Sequence, residues 1–241
     1  MRIIILVCIT IFLTACAATS GGGSPYSRSK AFISFDELEE IDRINYQLGE
    51  SYVNSGNYNV AEEKLMKVVT RAPSFPDAYN ALGVMSERQG RFSNALTLFY
   101  KAVDLNPNFD LAMRNFSRLQ CRENGPERLL GIASNTQNPT LRAGLYSGLA
   151  ECELRQQHYD EALVSVGKAV ISDANYGYSY FYRAFALFSK RDYQEALYSL
   201  EKFHDLKGYT DEGARLGLSI AQAMNNKTEI NKYNEIVQTQ F

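Results

Sequence analysis

One spacing governs this sequence from residue 48 onward: its pattern returns every 33 or 34 residues. Superposing Leu48-Gly49 on Leu82-Gly83 places Gly56 on Gly90, Tyr58 on Phe92, Ala61 on Ala95, Leu65 on Phe99 and Pro73 on Pro107. A small residue recurs as Gly49, Gly83, Ser117, Ala150, Ala184 and Gly217, at steps of 34, 34, 33, 34 and 33. A second position, Ala61, Ala95, Leu129, Ala162, Ala196 and Glu229, keeps the same steps. Self-similarity at this period means a stack of short units, each unable to bury its apolar faces alone, so that neighbours must stack. Within each unit the apolar residues recur at helical spacing and proline is confined to regular points, which predicts helices throughout.

The physical reason for the pattern is local. Gly49 and Ala61 are small enough to let two antiparallel helices approach closely, while Leu48, Tyr52 and Leu65 are large enough to fill the gap. Pro73 ends the second helix because it cannot continue the hydrogen-bond ladder. These positions resemble the tetratricopeptide repeat, a helix-turn-helix unit with small residues where its helices touch and a proline after the second. The resemblance implies an all-α superhelical solenoid of about six repeats over residues 35–241, a stretch of 207 residues with no room for a separate catalytic domain. Two units depart from the pattern. Leu129 and Glu229 replace the alanine of the others, Asn124-Gly125-Pro126 replaces the usual turn of the third unit, and the sixth stops at Phe241. They read as a distorted middle unit and a terminal cap with a polar outer face.

Ahead of the repeats, Arg2 precedes an apolar run of eleven residues, Ile3 to Leu13. That is about half of what a helix needs to cross a bilayer, and it suits the core of a signal peptide. The run closes in Leu13-Thr14-Ala15-Cys16, which resembles the lipobox of bacterial lipoproteins. The resemblance implies removal of residues 1–15, a covalent lipid on Cys16 and, with Ala17 rather than aspartate beside it, sorting to the outer membrane. An ordinary secretory signal is the alternative. Residues 16–34, with Gly21-Gly22-Gly23-Ser24-Pro25, have too few large apolar side chains to offset ordering entropy and are expected to form a flexible tether. The glycines are not a phosphate loop, since no strand precedes them and no Lys-Ser/Thr pair follows.

Several chemistries lack their residues. The net charge of −2, from 25 basic and 27 acidic side chains, offers no bulk attraction to nucleic acid. Four cysteines and two histidines lack the paired spacings of a structural zinc site. There is no G-x-S-x-G elbow, no H-E-x-x-H and no nucleotide loop. His158, in a turn, and His204, near the end of a second helix, are expected at the solvated surface. Neither catalysis, metal, cofactor nor small-molecule substrate is expected.

In the tetratricopeptide family the first helices line a concave groove, and the same ruler lists the residues on it. The third unit offers Arg114, Arg118 and Arg122, which share one helical face at i, i+4 and i+8. Arg155 follows in the fourth unit, and the fifth presents Tyr178, Phe181, Phe185 and Phe188. A basic ridge beside an aromatic wall suits an amphipathic or partly acidic partner helix. The alternative is a solenoid that fills its own groove, with the arginines paired to Glu87 and Glu151. Tyr46 and Glu50 occupy the first-unit positions where some tetratricopeptide adaptors place a lysine and asparagine clamp for a peptide C-terminus, so binding of that kind is not expected.

A lipobox followed by six such units resembles the type IV pilus biogenesis lipoproteins of the PilF/PilW family, pilotins that help a secretin reach the outer membrane and oligomerise. Asn115-Phe116 with Cys121 resembles the family's third-unit Asn-Tyr…Leu-Cys segment, and Tyr146…Leu149-Ala150-Glu151-Cys152 its fourth-unit Leu-Gly-Leu-Cys. The resemblance implies a non-enzymatic, lipid-anchored scaffold on the periplasmic side of the outer membrane, with a type IV pilus secretin or another envelope protein as partner. A lipoprotein cofactor for peptidoglycan synthesis or outer-membrane protein assembly would share the anchor and the repeats. In an exported lipoprotein two leftover cysteines tend to pair. Cys121 and Cys152, 31 residues apart on neighbouring first helices, are therefore expected either to form a disulfide or to stay buried as free thiols.

Overall fold

The computed structural model describes residues 32–241. Cys16, the signal sequence and the tether up to residue 31 lie outside the described residues. Ile33 and Ser34, expected at the end of the tether, already belong to the fold. The Ile33 amide donates to the carbonyl of Ser74, Ile33 packs beside Phe75, and Ser34 opens a short 3-10 turn at Phe35–Glu37.

Eleven helices follow among the described residues, with no strand: α1 (Glu40–Asn54), α2 (Tyr58–Arg71), α3 (Pro76–Arg88), α4 (Phe92–Leu105), α5 (Asp110–Asn135), α6 (Pro139–Arg155), α7 (Tyr159–Ser172), α8 (Gly177–Ser189), α9 (Tyr193–Lys207), α10 (Asp211–Ala223) and α11 (Lys227–Gln240). Helix α5 is two helices joined at a break, where Gly125 adopts φ 77° and ψ 169° ahead of Pro126. Counting both halves of α5 gives six antiparallel pairs, one per unit, the third being the distorted one.

The turns inside the units share one construction. The first helix ends on a left-handed residue, and the next amide reaches back five residues: Asn57 to Tyr52, Arg91 to Ser86, His158 to Glu153, Asp192 to Leu187 and Asn226 to Ala221. This closure uses carbonyls the helix end would leave unpaired. Gly56 and Gly90 hold the left-handed position in the first two units; Gln157, Arg191 and Asn225 hold it in the last three.

Helix pairing rests on the small residues that set the ruler. A Cβ on Gly49 would lie 2.6 Å from Leu65, and one on Gly83 would lie 2.6 Å from Phe99. At the far end Gly217 faces the Tyr233 ring in the same way. Leu65, Phe99 and Tyr233 are fully buried by this contact. Leu48, expected beside them in the gap, is instead exposed, because its position faces the side where a preceding repeat would stack. Its counterparts Leu82, Phe116 and Leu149 are buried there.

From the third unit on the stack tightens. Helix α6 is buried around most of its circumference, and its glycines admit α5 closely: a Cβ on Gly144 would sit 2.5 Å from Met113, and one on Gly148 would collide with Ser117. With a thin helix between them, units that are not neighbours meet. Arg114 Nη1 lies 2.9 Å from Glu212 Oε1 across 98 residues, and Lys207 Nζ lies 2.5 Å from Asp110 Oδ2 across 97. The Tyr178 hydroxyl donates to the same Glu212 oxygen at 2.9 Å. These contacts strap the third unit to the fifth and sixth.

Candidate functional site

All but one of the residues singled out in the sequence divide between that strap and an open cleft. Arg114 and Tyr178 belong to the strap. Tyr178 is buried against Phe203, and its hydroxyl is pushed up to about 12 by burial first and by the Glu212 hydrogen bond second. Phe188 packs on Tyr193 and lies outside the cleft. Arg118, Arg122, Arg155, Phe181 and Phe185 come together around two adjoining pockets of units three to five.

The cleft has two chambers that share Glu151 and Arg155. An apolar chamber of about 240 Å³ is walled by Leu154, Phe181, Tyr182 and Phe185. Phe181 is anchored edgewise on Tyr182 and packed at a tilt against Phe203, whereas Phe185 is 40% exposed. A basic chamber of about 300 Å³ is lined by Ser117, Arg118, Arg122 and the Cys121–Cys152 disulfide. The disulfide joins α5 to α6 with a Cα–Cα distance of 6.1 Å. It ties the third unit to the fourth at the floor of the cleft.

Both carboxylates at the cleft are engaged. Arg118 forks onto Glu87 at 2.8 and 2.7 Å, and Arg122 adds a contact at 3.3 Å. The Arg118 hydrogen bonds, more than the charge, hold the Glu87 carboxyl below its usual range. Glu151 accepts from Arg155 at 2.8 Å on one oxygen and from the Tyr182 hydroxyl at 2.8 Å on the other. The pairing with Glu87 and Glu151 thus exists, yet it leaves the cleft between them open. The guanidiniums remain at its surface and the carboxylates sit behind. Arg122 also spreads over the Phe92 ring at 4.7 Å, an arrangement that fixes its plane.

Leu154, Tyr182 and Ser117 were not legible as site residues. Leu154 and Tyr182 are large residues at helical spacing, indistinguishable from core, and Ser117 occupies the small-residue position of the ruler. Glu212 was equally hidden, because its partner lies 98 residues away. His204, expected at the solvated surface, is half-buried: its ring lies tilted against Tyr209 at 4.4 Å, and its enclosed Nε2 has no hydrogen-bond partner. Among the described residues no cluster of His, Cys, Asp or Glu has the makings of a metal site, and no helix is long and apolar enough to cross a membrane.

A tetratricopeptide-repeat family model matches residues 46–108. No curated protein sequence matches the chain. Among solved structures, the chain is similar to PilF of Pseudomonas aeruginosa, with a TM-score of 0.51 and 21% identity over 83% of this chain and 92% of that one. It is also similar to PilW, described as a widely conserved type IV pilus biogenesis factor, with a TM-score of 0.52 and 17% identity over 85% of this chain and 95% of that one. The shared property is the fold, a tetratricopeptide solenoid of the PilF and PilW kind. Folds of this class serve as protein-interaction modules.

Proposed function

We propose that this tetratricopeptide solenoid is an outer-membrane lipoprotein of the pilotin type, anchored through lipid on Cys16, which binds a type IV pilus secretin and escorts it into the bilayer for oligomerisation. The observation that carries the proposal is the likeness of fold to PilF and PilW along more than four fifths of the chain. The lipobox-like Leu13-Thr14-Ala15-Cys16 supports it from the sequence. The mechanism is binding rather than catalysis. The cleft supplies an apolar chamber around Phe185 and a basic chamber around Arg118, and the lipid supplies the address. A Phe181 that is packed against Phe203 serves as wall, leaving Phe185 as the side chain a partner would cover.

Deletion of the gene is expected to leave secretin monomers in place of heat-resistant multimers; normal multimers in the deletion strain would reject the proposal. Cys16→Ser is expected to mislocalise the chain and its partner together. Co-purification from membranes, with the partner identified by mass, separates a secretin from a peptidoglycan synthase or an outer-membrane assembly factor.

A further inference from the structure

We infer that the basic chamber is a carboxylate-binding site, and that the segment held in the cleft presents an Asp or Glu side chain close to a large apolar side chain. The inference rests on the cleft being the partner surface proposed above and adds the chemistry of what it takes. Three arginines and one carboxylate, Glu151, line the chamber. The arginine side chains are 35%, 47% and 63% exposed for Arg118, Arg122 and Arg155, against 16% and 15% for Glu87 and Glu151. Positive charge therefore faces the opening while negative charge is recessed.

The recessed carboxylates are also used up. Glu87 takes three contacts from Arg118 and Arg122, and Glu151 takes Arg155 and Tyr182. On the cation side donors remain. Arg118 engages Glu87 through Nη1 and Nη2, so its Nε edge is uncommitted, and Arg155 engages Glu151 through Nε and Nη2, so its Nη1 is uncommitted. Arg122 is held on both sides, by Glu87 and by Glu123, and forms a fixed wall. Beside them Ser117 lines the chamber with a buried hydroxyl that has no hydrogen-bond partner. Planar guanidinium forks with an edge left over match the two oxygens of a carboxylate, which a lysine point charge would not select.

Arg114 is the internal contrast. It shares the helical face of Arg118 and is 43% exposed, but it pairs with Glu212 beside the Tyr178 ring and is not among the residues lining the basic chamber. The spacing of the motif follows from the shared wall. Both chambers touch Glu151 and Arg155, so one short segment reaches both, with the acid and the apolar side chain close together along it.

Peptide selection tests the inference. A phage-displayed library of random twelve-residue peptides is panned on the purified full-length chain in detergent, and selected sequences are synthesised with amidated C-termini so that only side-chain carboxylates are present. The expected result is enrichment of Asp or Glu within a few positions of Phe, Leu, Ile or Met. Affinity should fall about tenfold or more, the size of a lost charged hydrogen bond, with Arg155→Gln or with the acid changed to its amide. The two changes together should cost little more than either alone. Arg118→Gln is the second variant, and each variant is checked for native circular dichroism. Selected peptides without acidic enrichment, or binders unaffected by both arginine changes but lost with Phe185→Ala, overturn the carboxylate site and leave the cleft as partner surface. Binders indifferent to Phe185 and both arginines overturn the cleft as well.

Discussion

The first two units and the last three solve the same turn with different residues. Gly56 and Gly90 adopt φ 77° and 74° without a side chain in the way; Gln157, Arg191 and Asn225 adopt 61°, 65° and 52° with one. Every non-glycine residue in that region carries a conformational cost of roughly 1–2 kcal/mol. The early units also meet only their neighbours, whereas Arg114–Glu212 and Lys207–Asp110 link units that are not adjacent. A solenoid whose units touch only neighbours behaves as a one-dimensional chain of modules. The difference predicts that the cross-links make the later units unfold as one cooperative block.

The comparison breaks most visibly in the core. Phe203 is fully buried where α9 meets Tyr178 and Phe181. Phe203→Ala is expected to cost about 3–5 kcal/mol and to lower hydrogen-exchange protection in α5 through α11 together. Leu65→Ala, expected to cost about 2–5 kcal/mol, should lower protection in α1 to α3, whose side chains share its cluster, and not beyond. Equal spread from both substitutions would remove the distinction between modules and block. Next in size is the cross-link inside the block. Replacing Cys121 and Cys152 by serine is expected to cost roughly 3–4 kcal/mol on the loop-entropy relation, read as a fall in the urea midpoint, and an unchanged midpoint would show that the bond does not brace the cleft.

Much of this fold lies in the sequence because its determinants are local. The ruler marks where helices touch, and Gly49, Gly83 and Gly217 meet their large partners within one unit. The break at Gly125-Pro126 is equally local. What the sequence hides is longer in range. Arg114 and Arg118 sit four residues apart on one face, yet one closes into a strap and the other stays at a cleft. The choice depends on where Glu212 arrives after nearly one hundred intervening residues, which no period of 34 encodes. Tyr178 and Phe185 likewise share a stripe, but only the strap decides which is covered. Leu48 shows the reverse limit: its residue type says core, yet among the described residues it is exposed.

The strap itself gives a smaller effect. Glu212→Ala removes the shared acceptor of Arg114 and of the buried Tyr178 hydroxyl. The expected cost is about 1–2 kcal/mol, toward the lower part of the range for an unpaired buried donor because Arg114 remains partly solvated. Small-angle scattering should show a larger radius of gyration, and an unchanged radius with unchanged stability would mean that packing around α6 alone sets the curvature. The turns sharpen the contrast further. Gly56→Ala is expected to destabilise by about 1 kcal/mol and Arg191→Gly to stabilise by a few tenths, since glycine relieves the left-handed turn but adds freedom to the unfolded chain. Loss of stability in Arg191→Gly would show that the arginine side chain itself holds the turn.

The smallest expected effect is a pH dependence confined to the block. His204 accepts no hydrogen bond at its enclosed Nε2, while Nδ1 lies 3.3 Å from the Gly208 carbonyl, an acceptor that places the ring proton on Nδ1. Burial first, and Lys232 nearby, lower its pKa from the ordinary 6.5, outweighing the contributions of the Gly208 carbonyl and Asp205 that raise it. Tyr209 and Tyr233 enclose the ring and offer no charge to stabilise the imidazolium. The unfolded chain therefore takes up a proton before the folded one does. Stability is complete above pH 6.5 and declines as the pH falls below that value toward the lowered folded pKa. Urea unfolding followed between about pH 5 and 7, a window set by the ordinary histidine range, should show this slope at the α9–α11 end and not in α1–α4. His204→Gln should flatten it; the same slope in the variant would assign the effect to the carboxylates instead.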